Sequence, residues 1–154
     1  MAINRSGAPE LKRPAAVIFD MDGLMLDTEK IYHVAWQEAA QELGYTIPHE
    51  LFFSLVGIRT EDCEEQIVAH MGREFPLVTF QDAWMEKWEQ IAARDGLTLK
   101  PGLLALLDHI DALGIPKAVA TSSTAPEAVR SLGMSALAPR FPVVVTGDQV
   151  IHGK

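Results

Sequence analysis

The sequence is poor in several things, and each shortage narrows its class. Cys63 is the only cysteine, so no intramolecular disulfide framework staples the chain. It falls at an apolar position of a helical pattern and reads as a core thiol. Basic side chains are scarce: 13 Lys and Arg stand against 21 Asp and Glu, a net charge of -8. Such a chain has no basic stripe for nucleic acid or an anionic membrane. Small phosphorylated ligands stay open, because a local cation can outweigh the global sign. No apolar run approaches the length of a membrane span. Met1 to Ala15 is polar and lacks the apolar segment of a secretory signal. The default location is therefore cytoplasmic. Repeats and low-complexity tracts are missing as well. What is present, 154 residues with 48% hydrophobic and 22% charged side chains, describes one soluble globular domain or a core with a modest insertion.

Within that domain one stretch stands out, Ala16-Val17-Ile18-Phe19-Asp20-Met21-Asp22-Gly23-Leu24-Met25-Leu26-Asp27-Thr28-Glu29. Its short run of β-formers predicts a buried strand that stops at two acids spaced i, i+2. The carboxyl end of a strand in an open α/β sheet is where ligands bind, which puts Asp20 and Asp22 at a site of chemistry. Gly23 lets the backbone turn away sharply, so both acids can reach one pocket. Two carboxylates that close repel unless a cation lies between them or one keeps a proton. The combination suits a magnesium site, with a nucleophilic Asp beside an acid/base Asp.

Downstream, Asp27 or Thr28 can cap a helix carrying Ile31, Ala35, Ala39 and Leu43, ended by Gly44. A short apolar segment from Leu51 to Val56 leads to Gly57-Ile58-Arg59. Thr60 is the expected cap of a helix bearing Cys63, Ile67, Val68 and Met71. Thr79 with Asp82 opens another, which bears Phe80, Trp84 and Trp88 and ends at Gly96. Leu97 to Gly102 is the return linker. A helix rich in leucine, Leu103 to Leu113, precedes the strand Lys117 to Thr121. Ser122-Ser123-Thr124 follows at its carboxyl end, with Pro126 and Glu127 in the first turn of a further helix. Small hydroxyls at a helix N-terminus make a phosphate cradle, or else an ordinary capped turn. Phe141 to Thr146 reads as a third strand.

The first stretch resembles the opening motif of the haloacid dehalogenase-like superfamily, D-x-D-G-x-x-x-D, and within it the branch of β-phosphoglucomutase-like and pseudouridine-phosphatase-like enzymes. Thr121 resembles the second-motif hydroxyl, and Gly147-Asp148 through His152-Gly153-Lys154 resembles the run into the third motif, with Lys154 as its lysine. The resemblance implies an α/β fold whose parallel, Rossmann-like sheet, incomplete in this chain, carries an inserted all-helical cap. The expected division is a tail at 1–15, an α/β core at 16–29 and 98–154, and a cap at 30–97. It also implies a magnesium-dependent phosphomonoester hydrolase for a small phosphorylated metabolite. In that mechanism Asp20 attacks phosphorus to give an aspartyl-phosphate, and Asp22 protonates the leaving alcohol and then takes a proton from water. Asp20, with the backbone carbonyl of Asp22, holds Mg2+, while Thr121 and Lys154 hold phosphoryl oxygens. Gly23 and the backbone N–H of Ser122 join the substrate side. Arg59, placed after Gly57 between two cap helices, is either a substrate-reaching cation or a solvated arginine pairing with Glu61 or Asp62.

Two other readings compete. A phosphosugar mutase uses the same Asp pair, but the mutases carry a cap histidine where this chain has Tyr32, with His33 one position on. A non-catalytic fragment is the third reading. The family's fourth motif, an acidic pair completing the metal site, is expected beyond Lys154, which suggests a piece of a longer enzyme. The first strand, normally central, would then have an unpaired edge through which copies could associate.

Overall fold

The structure is a computed structural model that describes residues 13–58 and 60–152. Arg59 and Lys154 lie outside the described residues. Three short strands, β1 (Val17–Phe19), β2 (Lys117–Ala120) and β3 (Val144–Val145), form one parallel sheet in the order β1-β2-β3. Val17, Ile18 and Phe19 register with Lys117, Ala118 and Val119. Val119 and Ala120 register with Val144 and Val145. The third strand is thus shorter than Phe141 to Thr146: Pro142 cannot donate to a ladder, and Phe141 instead buries its ring edge-on against Phe19.

Five helices follow β1 before the sheet resumes, and the first four are α1 (Glu29–Glu42), α2 (His49–Leu55), α3 (Thr60–Met71) and α4 (Leu77–Asp95). Their apolar faces close on each other, burying Ala35, Trp36, Ala39, Phe52, Phe80, Trp84 and Trp88 in one cluster. A second cluster, built on Phe19, Met21, Met25, Leu26, Leu107 and Val119, lies between the sheet and helices α5 (Leu103–Ala112) and α6 (Ala125–Met134). Two helix starts differ from expectation. Thr60 is already inside α3, and α4 begins at Leu77 behind Pro76, so Thr79 sits in its first turn. A proline with its fixed φ sets the start before any hydroxyl is needed.

The chain leaves and rejoins the sheet layer through adjacent segments. Asp27 N–H donates to the Thr98 carbonyl at 2.9 Å and Lys100 N–H to the Met25 carbonyl at 2.9 Å, around an antiparallel bridge between Leu26 and Leu99. Asp27 clamps this crossing, accepting bonds from Lys100 and Lys30, each at 2.7 Å. The Lys100 bond, then the Lys30 bond, holds the Asp27 carboxyl below its ordinary value of 3.8. A depressed carboxylate contributes its stabilisation above the unfolded value and loses it as pH falls through the folded one. Asp27→Asn is therefore expected to melt below the unmodified chain at neutral pH, with the gap closing well under pH 3.8. Melting curves of both chains across that range check it; a gap independent of pH removes the carboxylate's role.

Candidate active site

At the carboxyl ends of β1 and β2 the backbone builds a pocket. After Phe19 the chain makes a tight loop: Met25 and Leu26 N–H both donate to the Met21 carbonyl, at 3.0 and 3.1 Å, and Gly23 N–H donates to the Leu26 carbonyl at 2.8 Å. The loop needs Gly23 at φ +76°, and a Cβ there would lie 2.6 Å from Glu29 Oε1. It buries Met21, Met25 and Leu26 completely beneath it, so its shape is fixed by the core.

Asp22 is gripped from two sides. Thr28 Oγ1 donates to its Oδ1 at 2.6 Å, and Ser123 Oγ donates to its Oδ2 at 2.9 Å. Thr28 is the residue before α1, yet its side chain makes no bond to that helix. Its fully buried hydroxyl serves the carboxylate instead, which corrects the expectation of an ordinary helix cap. Hydroxyls can donate or accept, so the two partners can follow Asp22 through either protonation state. Across the pocket, Thr121 is nearly buried, and its Oγ1 accepts from Ser123 N–H at 3.1 Å. The turn continues into α6 through a reciprocal cap, in which Glu127 Oε2 accepts from Thr124 N–H at 2.7 Å and from Thr124 Oγ1 at 2.8 Å. Asp148 ties the end of β3 to the same helix start. It accepts from Thr146 Oγ1 at 2.5 Å and from Ala125 N–H at 3.1 Å, and the Thr146 bond first, then the Ala125 bond, lowers its carboxyl below the ordinary value.

Gly147 lets these two strand ends approach. Its N–H donates to the Ser123 carbonyl at 2.9 Å, and a Cβ on it would fall 2.3 Å from the Ser122 carbonyl oxygen. That neighbour is backbone and cannot swing aside. Gly147→Ala is expected to destabilise the fold by about 1–3 kcal/mol through overpacking, read as a lower denaturant midpoint. An unchanged midpoint would mean that the β2–α6 turn is freer than this contact implies.

One cavity of about 460 Å³ joins these parts, within the size range of small-ligand sites. Asp20, Asp22, Gly23, Thr121 and Ser122 all line it. So do Thr28, Glu29, Ser123 and Glu127, which sequence reasoning did not single out as site residues. From the helices and the α2–α3 loop come Tyr32, Trp36, Phe52, Leu55, Ile58 and Trp84, among others. Burial, reinforced by the charges of Asp22 and Glu127, pushes the Tyr32 phenol well above its ordinary value of 10.0, so it stays a neutral donor. Cys63 is half-buried in this wall rather than sealed in the core. Burial and the neighbouring Asp62 and Glu64 push its thiol up to about 11. Ser122 Oγ donates to the Gly57 carbonyl at 2.9 Å, joining the sheet side of the rim to the α2–α3 loop. His33 lies elsewhere: it bonds His49 at 2.8 Å and stacks on that ring and on Phe53.

The charges of the lining are one-sided. Asp20, Asp22, Glu29 and Glu127 are acidic, and among the described lining residues none is Lys or Arg. An anion entering such a cavity requires a cation to accompany it. Among the described residues no group of three or more His, Cys, Asp or Glu side chains comes together around a metal position, but the oxygens of Asp20 and Asp22 are of the kind a hard cation such as magnesium takes. The Asp20 carboxylate, which lines the cavity, is an oxygen ligand of that kind. The Asp22 carboxylate has hydroxyl bonds on both oxygens, so the contribution of Asp22 is better matched to its main-chain oxygen.

A parallel sheet whose first strand ends in paired acids, with a run of helices before the second strand, is an α/β fold carrying a candidate site at its strand ends. The model of the haloacid dehalogenase-like hydrolase family matches residues 17–154, and the chain belongs to that family. It is 34% identical over 115 residues to the "Probable pseudouridine-5'-phosphatase" of Drosophila melanogaster, a match covering 75% of this chain and 49% of that protein. It is 30% identical over 139 residues to the "Phosphorylated carbohydrates phosphatase" of Thermotoga maritima, covering 90% of this chain and 64% of the relative. The chain thus spans about half to two thirds of the length of these curated relatives. Among solved structures, CbbY from Rhodobacter sphaeroides in complex with phosphate superposes with a TM-score of 0.75 at 23% identity, over 91% of this chain and 66% of that one, which shows the shared fold.

Proposed function

We propose that the protein is a magnesium-dependent phosphomonoester hydrolase, acting on a small phosphorylated metabolite in the cytoplasm through an aspartyl-phosphate on Asp20. The observation that carries this reading is the double hydroxyl grip on Asp22, beside Asp20 at the end of β1. A carboxylate fixed on both oxygens is positioned for proton transfer, and Asp20, two residues earlier at the same strand end, is the candidate for attack. Asp20 forms the bond to phosphorus as the ester bond breaks. Asp22 gives its proton to the departing alcohol and then accepts one from the water that hydrolyses the acyl phosphate. Thr121 and the Ser122 N–H orient phosphoryl oxygens, Gly23 lets the backbone turn beside them, and Lys154 and Arg59 supply positive charge. Magnesium, when bound by Asp20 and the Asp22 main chain, offsets the negative charge shared by phosphate and carboxylates. The helices of residues 30–97 act as a cap over the core of 16–29 and 98–154, excluding bulk water. No described helix is long and apolar enough to cross a membrane.

The mutase alternative draws on similar relatives, such as the β-phosphoglucomutase of Bacillus subtilis at 29% identity over 149 residues. It is the weaker reading here, because Tyr32 lines the cavity whereas His33 is engaged with His49 outside it. The test is a panel of phosphomonoesters with and without a magnesium chelator, following free phosphate and phosphosugar isomers in parallel. Chelator-sensitive phosphate release is expected; isomerisation without release would replace hydrolase by mutase, and neither would leave the non-catalytic reading. Self-association belongs to the same proposal, since β1 is an edge of the described sheet and Ile18 on it is 70% exposed. A mass rising with concentration in sedimentation is expected. A constant monomer mass would exclude it.

A further inference from the structure

The cavity is polar at one end and apolar at the other, and the division follows the chain. Its acids and hydroxyls come from the β1–α1 loop, the start of α1, and the β2–α6 segment: Asp20, Asp22, Thr28, Glu29, Thr121, Glu127. Everything contributed beyond the first turn of α1 and by α2, α3 and α4 is aromatic or aliphatic, save the Tyr32 phenol and the neutral Cys63 thiol. A phosphoryl group held at the acidic end fills only a small part of about 460 Å³. The remainder faces Trp36, Phe52, Leu55, Val56, Ile58 and Trp84.

From this division we infer that the leaving alcohol carries an apolar or aromatic group, and that the cap wall selects it over a polyhydroxylated chain. The inference rests on the phosphomonoester reading above and names the substrate class of that site. A polyol chain seated here would exchange water for a wall of mostly carbon, in which the Tyr32 phenol and the indole N–H of Trp36 are among the few hydrogen-bonding groups. Each unmatched hydroxyl then costs free energy. An apolar group loses nothing by desolvation and gains the contact area. The aromatic rings of the wall are already fixed by packing on one another: Tyr32 meets Trp84 with ring centroids 5.7 Å apart, and Trp36 meets Phe52 edge-on at 5.4 Å. The wall is therefore preformed, and little side-chain ordering is left for the ligand to impose. At the mouth, Leu24 and Val56 are exposed apolar side chains that also line the cavity, so the apolar surface continues to the rim.

Binding of three non-hydrolysable phosphonates by the chain in magnesium tests this without relying on turnover. Methylphosphonate reports the phosphoryl end alone, benzylphosphonate adds an aromatic group, and 2,3-dihydroxypropylphosphonate adds a polyol. By calorimetric titration, benzylphosphonate is expected to bind about tenfold or more tighter than methylphosphonate, with the dihydroxypropyl compound gaining nothing. Val56→Asn, an exposed position where folding is not at stake and can be checked by circular dichroism, is expected to reduce the benzyl-to-methyl affinity ratio about threefold or more. Equal binding of all three, tightest binding of the dihydroxypropyl compound, or binding of none overturns the inference. Phosphate release from the panel of phosphomonoesters would meanwhile stand or fall separately, so the loss of this substrate class is distinguishable from the loss of the hydrolase reading.

Discussion

Asp20→Asn is expected to lower phosphate release by roughly 10,000-fold or more while leaving phosphonate binding measurable. The amide keeps the shape and the oxygen of the carboxylate but has no anionic electron pair to place on phosphorus. The route through a covalent intermediate then closes, and only the slow direct attack by water remains. The substitution is close to isosteric at the end of β1, where Phe19 and Met21 on either side are buried and hold the backbone. The change therefore falls on chemistry more than on folding. Acid quenching during turnover should trap phosphate on the unmodified chain and none on the variant. Turnover near the starting rate would remove Asp20 as nucleophile, whatever else the site does.

The parts of this site that were legible in the sequence are those whose partners are close along the chain. Gly23 follows Asp22 directly, and the requirement for φ +76° there could be read from a turn that must fold back within four residues. The cap of α6 was legible for the same reason: Thr124 and Glu127 are three residues apart and satisfy each other's helix end. Gly96 and Gly44 ended helices where they were expected to. What stayed hidden depends on pairings across the fold. Ser123 reaches Asp22 from 101 residues away, and no local pattern announces such a contact. Thr28 looked like a helix cap because hydroxyls before helices usually are. Its neighbour six residues back offers a stronger, charged acceptor, and the hydroxyl goes there. The cavity wall was hidden in another way. Trp36, Phe52 and Trp84 fit the helical core pattern, and periodicity cannot tell a side chain that packs fully from one that packs on one side and lines a cavity on the other.

The grip on Asp22 gives the second large expected effect, and it separates proton transfer from every other function of the site. Asp22→Ala is expected to slow hydrolysis of alkyl phosphates about 100- to 10,000-fold, the usual range for losing a general acid or base. For an ester whose leaving group is already acidic, such as 4-nitrophenyl phosphate, expulsion needs little protonation and the loss should be far smaller. Ser123→Ala offers a gentler comparison. It keeps the carboxylate and removes one of the two hydroxyls that orient it, leaving Thr28 bonded to Oδ1 alone. A mispositioned acid should again hurt poor leaving groups more than good ones, by about tenfold rather than thousands, because most of its transfer ability remains. A merely structural role for Ser123 would lower all rates together through loss of folded protein, which melting curves would reveal. The decisive comparison is therefore the slope of log kcat/KM against leaving-group pKa, flat or shallow for the unmodified chain and steep for Asp22→Ala. Parallel lines, with equal loss across all leaving groups, would show that Asp22 shapes the site or its cation without handling the proton.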